Sequence, residues 1–186
     1  KLREQGGMIK VADADEEVLI AGILLHDIGK IFTPKEILYK PGPLTDEERD
    51  VMRRHPVDGA DVLERIAGLR AMADNVRHHH ERYDGGGYPD GLKGEAIPLG
   101  ARIAAVVDAF DAMISDRPYR KGMPVEEAIA ELTRNRGTQF APGVVDAFME
   151  LYKEGKRQPC HVPRVDPGNA VTPGSYAEGH DGNSHH

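Results

Sequence analysis

Apolar residues recur at helical spacing along most of the chain. The run from Val18 to Leu25 is apolar on almost every side, which predicts a helix that is buried all round and carries His26 and Asp27 out of the core. Because no segment alternates apolar and polar residues convincingly enough to be a strand, the pattern predicts an all-α fold. A helix beyond Ala101 is predicted to carry two stripes, an apolar one of Ile103, Val106, Val107, Phe110 and Ile114 and a second one of Ala104, Asp108, Asp111 and Ser115.

Start and stop signals predict the remaining helices. Thr45 and Glu48 have the spacing of a capping box, and Pro56 suits the first turn of a helix. A glycine-rich loop is predicted over 84–87, directly after three consecutive histidines. Besides the helices above, the expected helices cover about 45–55, 56–66, 69 to the histidines at 78–80, 124–135 and 142–153.

Length and composition predict one globular domain over residues 1–157. The chain has 186 residues, 39% hydrophobic and 30% charged, which is typical of a soluble protein. Residues 158–186 are rich in Gly, Pro, Ser and Asn without apolar periodicity, so we expect a disordered tail. No apolar run is long enough to span a bilayer, no leader opens the chain, and a lone cysteine, Cys160, suits a reducing compartment; these features predict a cytoplasmic protein.

Charge narrows the partners that the chain is expected to bind. A formal net charge of −7 disfavours binding to a nucleic-acid polymer, because affinity for a phosphate backbone comes from many basic contacts. A small phosphorylated ligand is still compatible with this charge, since physiological salt screens charges beyond about 8 Å.

Histidines and aspartates recur near the ends of the predicted helices. Taken singly, each has an ordinary interpretation: His55 could neutralise a helix dipole, Asp108 could be an exposed polar residue, and His78 is best interpreted as part of a solvated basic patch with Arg77 and Arg82. Taken together they supply the nitrogen and oxygen ligands that two divalent metals need, which predicts a metal-dependent hydrolase. The candidate ligands are His26, Asp27, His55, His79, His80 and Asp108.

Two metals would suit the hydrolysis of a phosphodiester. Bound water loses its proton at a pKa near 7 instead of 15.7, and ions about 3.5–4 Å apart stabilise both the attacking and the leaving oxygen. Asp27 has two carboxylate oxygens with which to bridge both ions. Lys30 stands four residues after His26 and would share its face if the helix continued.

Together, these motifs resemble the HD-GYP family, a branch of the HD-domain metal phosphohydrolases that cleaves cyclic di-GMP. The resemblance covers about Leu24 to Phe148 and implies a helical bundle with a metal centre in its core. The motifs that carry it are His26-Asp27-Ile28-Gly29-Lys30, Lys40-Pro41-Gly42, His55-Pro56 with Gly59, His79-His80-Glu81, Asp84-Gly85 with Gly87-Tyr88-Pro89, Ile97-Pro98-Leu99, Asp108 with Asp111, and Asp116-Arg117-Pro118-Tyr119-Arg120.

The resemblance implies a role for each site residue. The six candidate ligands would hold two divalent ions, iron or manganese, with Asp27 between them. Lys30 would stabilise or protonate the leaving oxygen. The substrate would be held by Tyr88 on a guanine, by Arg117 and Arg120 on phosphates, and by Asp111 lining the pocket. The products would be the linear dinucleotide pGpG and, as an open alternative, GMP.

The chain departs from the family pattern at its start. Family members carry a further histidine on an earlier helix, and no histidine precedes His26, so we expect a domain without its first helix, with one metal under-coordinated and no third metal site. This departure keeps a second hypothesis open, a catalytically weak module that binds a cyclic dinucleotide or a diguanylate cyclase (GGDEF) domain. Hydrolysis of another cyclic dinucleotide is a third hypothesis. A homodimer is compatible with the helical fold.

Overall fold

The chain is predominantly helical. The computed structural model describes residues 3–5, 8–10, 13–116 and 121–155. The all-α fold predicted from the sequence is confirmed, and each predicted helix is present. The helices are α1 (Asp13–Leu24), α2 (Lys35–Leu38), α3 (Asp46–Met52), α4 (His55–Glu64), α5 (Ala73–Arg77), α6 (Leu99–Ile114), α7 (Val125–Arg134) and α8 (Pro142–Lys153), with short 3-10 turns at Ile28–Phe32, Arg70–Met72 and Gly94–Ala96.

Three short elements differ from the sequence prediction. Strands β1 (Arg3–Gln5) and β2 (Met8–Lys10) pair in antiparallel fashion, so the expectation of no strand is wrong at the start of the chain. Three residues are too few for an alternating pattern to be recognised. Helix α2, a single turn that begins directly after Pro34, is not among the predicted helices.

Helix boundaries agree with the local chemistry of the sequence. Thr45 caps α3: its hydroxyl accepts a hydrogen bond from the backbone N–H of Glu48, and the Glu48 carboxylate accepts one from the backbone N–H of Thr45. Pro56 lies in the first turn of α4, where its missing N–H is not needed. Thr45 and Pro56 therefore fix where α3 and α4 begin, and with them the position of His55.

The core has two parts, and α6 packs on the helices of both. One part lies between α6, α7 and α8, where Val106, Leu132 and Val145 are almost completely buried. The other lies between α4 and α5, with the inner face of α1 packed against it. The end of α1, the start of α4, the end of α5 and the middle of α6 therefore meet in one region.

Helix α1 is not buried on all sides, contrary to the prediction. Ile20 is 50% exposed and Leu24 is 78% exposed, while Gly22 on the opposite side packs closely on Asn75. The all-round apolar pattern predicts a buried helix only if neighbours cover every face, and within the described residues α5 and α6 cover one face. Among all the helices of the described residues, none is long and apolar enough to cross a membrane.

Candidate metal centre

All six candidate ligands lie in the region where the four helices meet. His26 and Asp27 follow α1, His55 is the first residue of α4, His79 and His80 follow α5, and Asp108 lies in the middle of α6. Four segments that are distant in sequence thus supply one cluster. Half of it, formed by His55, His79 and His80, has ligand atoms that all lie within 4.8 Å of one another.

The remaining distances join this histidine cluster to the carboxylates. Asp27 places its Oδ1 3.2 Å from His55 Nε2 and its Oδ2 3.5 Å from His26 Nε2. Asp108 Oδ1 lies 3.7 Å from the same His26 atom. The two oxygens of Asp27 therefore face different histidines, which is the arrangement that a bridging carboxylate needs.

Backbone carbonyls orient three of the imidazoles. A carbonyl oxygen can only accept a hydrogen bond, so each of these rings carries its proton on Nδ1 and, in its neutral form, has a bare lone pair on Nε2. Each bond is made to the residue three positions earlier: His26 to Ile23 at 2.6 Å, His55 to Met52 at 2.8 Å and His79 to Val76 at 2.6 Å. Such contacts fix the tautomer and the aim of a histidine that ligates a metal.

The resulting arrangement fits a cation. His55 Nε2 and His79 Nε2 are 3.3 Å apart, and both of these atoms are acceptors in the neutral rings. Two lone pairs at that distance repel each other unless a positive charge lies beside them. Imidazole nitrogen and carboxylate oxygen are suitable ligands for iron, manganese and zinc, so the residues present could hold divalent metal.

The protonation states of His79, His80 and the two carboxylates favour metal binding near neutral pH. Burial lowers the pKa of His79 to about 3 and that of His80 to about 4, so both rings are neutral. The contact between His26 and Asp108 lowers the pKa of the Asp108 carboxyl and raises the pKa of the His26 imidazole. For Asp27, burial acts to raise the pKa, but the contacts with His55 and Lys30 outweigh burial and hold it below its usual range. Both carboxylates are therefore ionised.

Lys30 lies in the cluster, but not on the face that the sequence predicted. Its Nζ donates to Asp27 Oδ2 at 2.5 Å. The chain leaves α-helical geometry after Leu24 and continues as a 3-10 turn, in which residues three apart are aligned. Lys30 is therefore stacked over Asp27 instead of His26, and Asp27 occupies one of the three N–H donors of Lys30.

Tyr88 borders the cluster through His80. The two rings stack with centroids 4.9 Å apart and planes 27° apart, and burial raises the pKa of Tyr88 to about 12. The guanidinium carbon of Arg53 lies 5.3 Å from the centroid of the same tyrosine ring. Arg53 was not among the predicted site residues; its position two residues before His55 was the only signal in the sequence.

Glu81 anchors the loop that carries Tyr88. It is only 3% exposed, and its Oε1 accepts hydrogen bonds from the backbone N–H groups of Asp90 at 2.7 Å and Gly91 at 2.9 Å. The loop needs glycine at Gly85, where φ is +87°. Glu81 thus ties the far side of the loop to the segment of His79 and His80, a role that its place in the sequence motif did not reveal.

His78 is not part of a solvated basic patch, so that interpretation is wrong. It is buried, its Nδ1 donates to the Asp74 carbonyl at 2.8 Å, and its Nε2 lies 2.9 Å from Asp90 Oδ2. Asp90 also accepts two hydrogen bonds from Arg77, at 2.7 and 3.0 Å. The turn after Arg77 directs His78 towards the loop and His79 and His80 towards the cluster.

We expect Asp90→Asn to weaken the folded state in a pH-dependent way. Contacts with Arg77 and His78 lower the pKa of Asp90 to about 2 from an ordinary value of 3.8. A group whose pKa is lowered by folding stabilises the fold above its unfolded pKa, and that contribution is lost as pH falls through the folded pKa. Urea unfolding with a chelator present should therefore show a difference between wild type and Asp90→Asn at pH 5 that disappears between about pH 4 and 2.

Asp50→Asn is the matched control, because Asp50 is exposed and has no ion pair among the described residues. It should unfold like wild type throughout. A stability difference for Asp90→Asn that persists unchanged at pH 2 would contradict the assignment of this carboxylate as the ionised partner.

For Asp111, Arg117 and Arg120, the predicted contacts with the substrate stay predictions. Asp111 lies on α6 beyond Asp108, is exposed, and accepts a hydrogen bond from the Ser115 hydroxyl at 3.3 Å. No contact joins it to the cluster among the residues described, so its role in lining a pocket stays a prediction. Arg117, Arg120 and the predicted tail at 158–186 lie outside the described residues.

The sequence matches the HD domain family over residues 8–144. Over 140 residues it is 49% identical to the cyclic di-GMP phosphodiesterase response regulator RpfG of Xanthomonas campestris, a match that covers 73% of this chain and 37% of that protein. Over 106 residues it is 45% identical to 3'3'-cGAMP-specific phosphodiesterase 1 of Vibrio cholerae, covering 57% of this chain and 25% of that protein.

A solved structure shares the fold. A cyclic GMP-AMP specific phosphodiesterase of V. cholerae, V-cGAP3, superposes with a TM-score of 0.60 at 23% identity, over 79% of this chain and 40% of that one. At that identity the likeness supports the fold alone. The chain spans about a third of the length of the curated relatives it matches, since the first three are covered to 37%, 36% and 32%.

Proposed function

The chain belongs to the HD domain family, and from this premise we propose that it is a metal-dependent phosphodiesterase that hydrolyses cyclic di-GMP to the linear dinucleotide pGpG. The single observation that carries the proposal is the convergence of imidazole nitrogens and carboxylate oxygens from four segments. Such a cluster is unfavourable without a cation and favourable with one, because its lone pairs and negative charges repel each other.

Two divalent ions, iron or manganese, would be held by His26, Asp27, His55, His79, His80 and Asp108. When bound, such ions make a water acidic enough to attack phosphorus near neutral pH and offset the charge that builds on the phosphate oxygens. The ligand chemistry supports iron and manganese without separating them.

Asp27 and Lys30 would act as a pair during the reaction. Asp27 presents its two oxygens to histidines from different segments, and Lys30 holds one of these oxygens in place at 2.5 Å. Lys30 keeps two N–H donors for the oxygen that gains negative charge as the P–O bond breaks. One of these donors can supply the proton that the leaving hydroxyl requires.

Tyr88 would contact a guanine of the substrate. Its ring is fixed by stacking on His80, and its loop is held by Glu81. A planar ring beside the cluster suits the face or edge of a purine. The name of the 49% identical relative supports cyclic di-GMP as the substrate.

A second cyclic dinucleotide is a candidate substrate for a specific reason. The 45% identical relative from V. cholerae is named as specific for 3'3'-cGAMP, in which one guanine is replaced by adenine. Both ligands would use the same metal cluster, so the base contacts would decide between them.

The proposal is tested by metal analysis and turnover on one sample. Protein purified without oxygen and lacking residues beyond 157 should contain two equivalents of iron or manganese, and should release pGpG from cyclic di-GMP. Parallel assays with 3'3'-cGAMP measure the preference between the two substrates.

Three other outcomes would change or contradict the proposal. Metal-loaded protein that binds cyclic di-GMP without cleaving it would replace the enzyme by a binding module. Preferential cleavage of 3'3'-cGAMP would change the substrate while keeping the reaction. Failure to retain any divalent ion would contradict the assignment of the cluster.

A further inference from the structure

Arg53 has an unusual environment for an arginine of this chain. Its exposed guanidinium lies over the Tyr88 ring, and within the described residues it has no carboxylate partner. Seven other arginines have an acidic partner: Arg49, Arg54, Arg77, Arg82, Arg102, Arg134 and Arg136. Among the described residues Arg65 and Arg70 also lack one, but of these three arginines only Arg53 lies over an aromatic ring. Arg53 therefore keeps its charge and its hydrogen-bond donors available at the edge of the metal centre.

The backbone holds Arg53 in a fixed relation to the centre. Its N–H donates to the Arg49 carbonyl at 2.8 Å, so it closes the last turn of α3. The preceding residue, Met52, supplies the carbonyl that orients His55. The Tyr88 ring contacts both groups: its centroid lies 5.3 Å from the Arg53 guanidinium carbon and 4.9 Å from the centroid of the His80 ring.

The carboxylates of the cluster do not neutralise Arg53, because each of them already has another partner. Lys30 is bonded to Asp27, and Asp108 contacts His26. A cyclic dinucleotide carries two phosphodiesters, of which one reacts at a time. Metal ions and Lys30 would contact the reacting phosphate. The other phosphate needs cations away from the cluster, and Arg53 is one that the described residues supply beside the predicted contacts of Arg117 and Arg120. A guanidinium presents five N–H donors in a planar fork that matches phosphate oxygens.

We propose that Arg53 binds the phosphate of the cyclic dinucleotide that is not being cleaved. This inference rests on the proposed function, because it assigns a substrate contact to the same site. It makes Arg53 a residue that selects substrates with two phosphates over simple phosphodiesters.

The test compares Arg53→Met with Arg54→Met. Methionine can still cover the Tyr88 ring but lacks charge, and Arg54 is an adjacent, exposed arginine whose distance to Asp58 is 3.5 Å. For cyclic di-GMP, Arg53→Met should raise KM about tenfold with little change in kcat, because a charge-assisted hydrogen bond is lost. Arg54→Met should match wild type.

Three further readouts separate substrate binding from support of Tyr88. Arg53→Lys should recover part of the lost affinity, since it restores charge without the fork. The salt dependence of KM should be weaker in Arg53→Met than in wild type, because one ionic contact is missing. Neither metal content nor the kinetics on bis(p-nitrophenyl) phosphate, which has one phosphate, should change.

The outcomes are decisive even if the protein is not an enzyme. Should wild type cleave no cyclic dinucleotide, binding of a non-hydrolysable cyclic bisphosphorothioate by the same variants tests Arg53 separately, with the same tenfold loss expected. Equal behaviour of Arg53→Met and Arg54→Met would overturn the proposal. So would a loss of metal, a salt dependence like that of wild type, or an equal effect on bis(p-nitrophenyl) phosphate.

Discussion

Replacing Asp27 by asparagine is expected to lower kcat for cyclic di-GMP by more than about 100-fold, since changes to groups that merely support a metal ligand already cost 10–100-fold. An amide lacks the negative charge and the second oxygen with which Asp27 faces His26 and His55. It also leaves Lys30 without its ionic partner. Metal analysis of the purified variant should show fewer than two equivalents, while circular dichroism should show the same helical content as wild type.

The matched control is Asp61→Asn. Asp61 lies on α4, the helix that supplies His55, but it is exposed. This variant should keep both its metal and its activity. If Asp27→Asn retained full metal content and turnover, the cluster would not be the reaction centre.

Replacing Gly29 by alanine is expected to destabilise the fold by about 3 kcal/mol or more, at the upper end of the cost of overpacking a core. An added Cβ would lie 1.9 Å from the carbonyl oxygen of His55 and 2.6 Å from the backbone nitrogen of Gly59. These neighbours are backbone atoms of α4, which cannot move without displacing His55 itself. The change should therefore lower the midpoint of urea unfolding and also reduce metal retention.

Gly143→Ala provides the comparison. Gly143 lies in α8, and an added Cβ would meet no atom within 4 Å, so alanine should be neutral or stabilise the helix by up to about 1 kcal/mol. Wild-type stability in Gly29→Ala would show that the 3-10 turn and α4 are not in the close contact described above.

Much of the fold followed from local signals in the sequence. The capping box at Thr45, the proline in the first turn of α4 and the period of α6 depend on neighbours a few residues away, so they could be predicted without tertiary contacts. The family predicted from the motifs is also confirmed, because the matched residues 8–144 include all of those motifs. The strands at 3–5 and 8–10 were missed because each is too short to have a period.

The site, like the fold, could be predicted only in part from the sequence. Ligand types and their order along the chain indicated a metal centre, and the structure brings His26, His55, His79 and Asp108 together from four segments. The aim of each ring could not be predicted, since it depends on which backbone carbonyl takes the Nδ1 proton. His78 illustrates this limit: it is adjacent to two members of the cluster, yet it is turned away and bound to Asp90.

The sequence by itself determined the helical elements, the family and the chemical identity of the metal ligands, because these depend on residue type and spacing. Only the tertiary structure decided that Lys30 is stacked over Asp27, that one face of α1 is exposed, and that Arg53 reaches Tyr88 without a carboxylate partner. The physical reason is common to all three. A change from α-helical to 3-10 geometry, the covering of a helix face and the approach of two side chains all depend on how segments distant in sequence pack together.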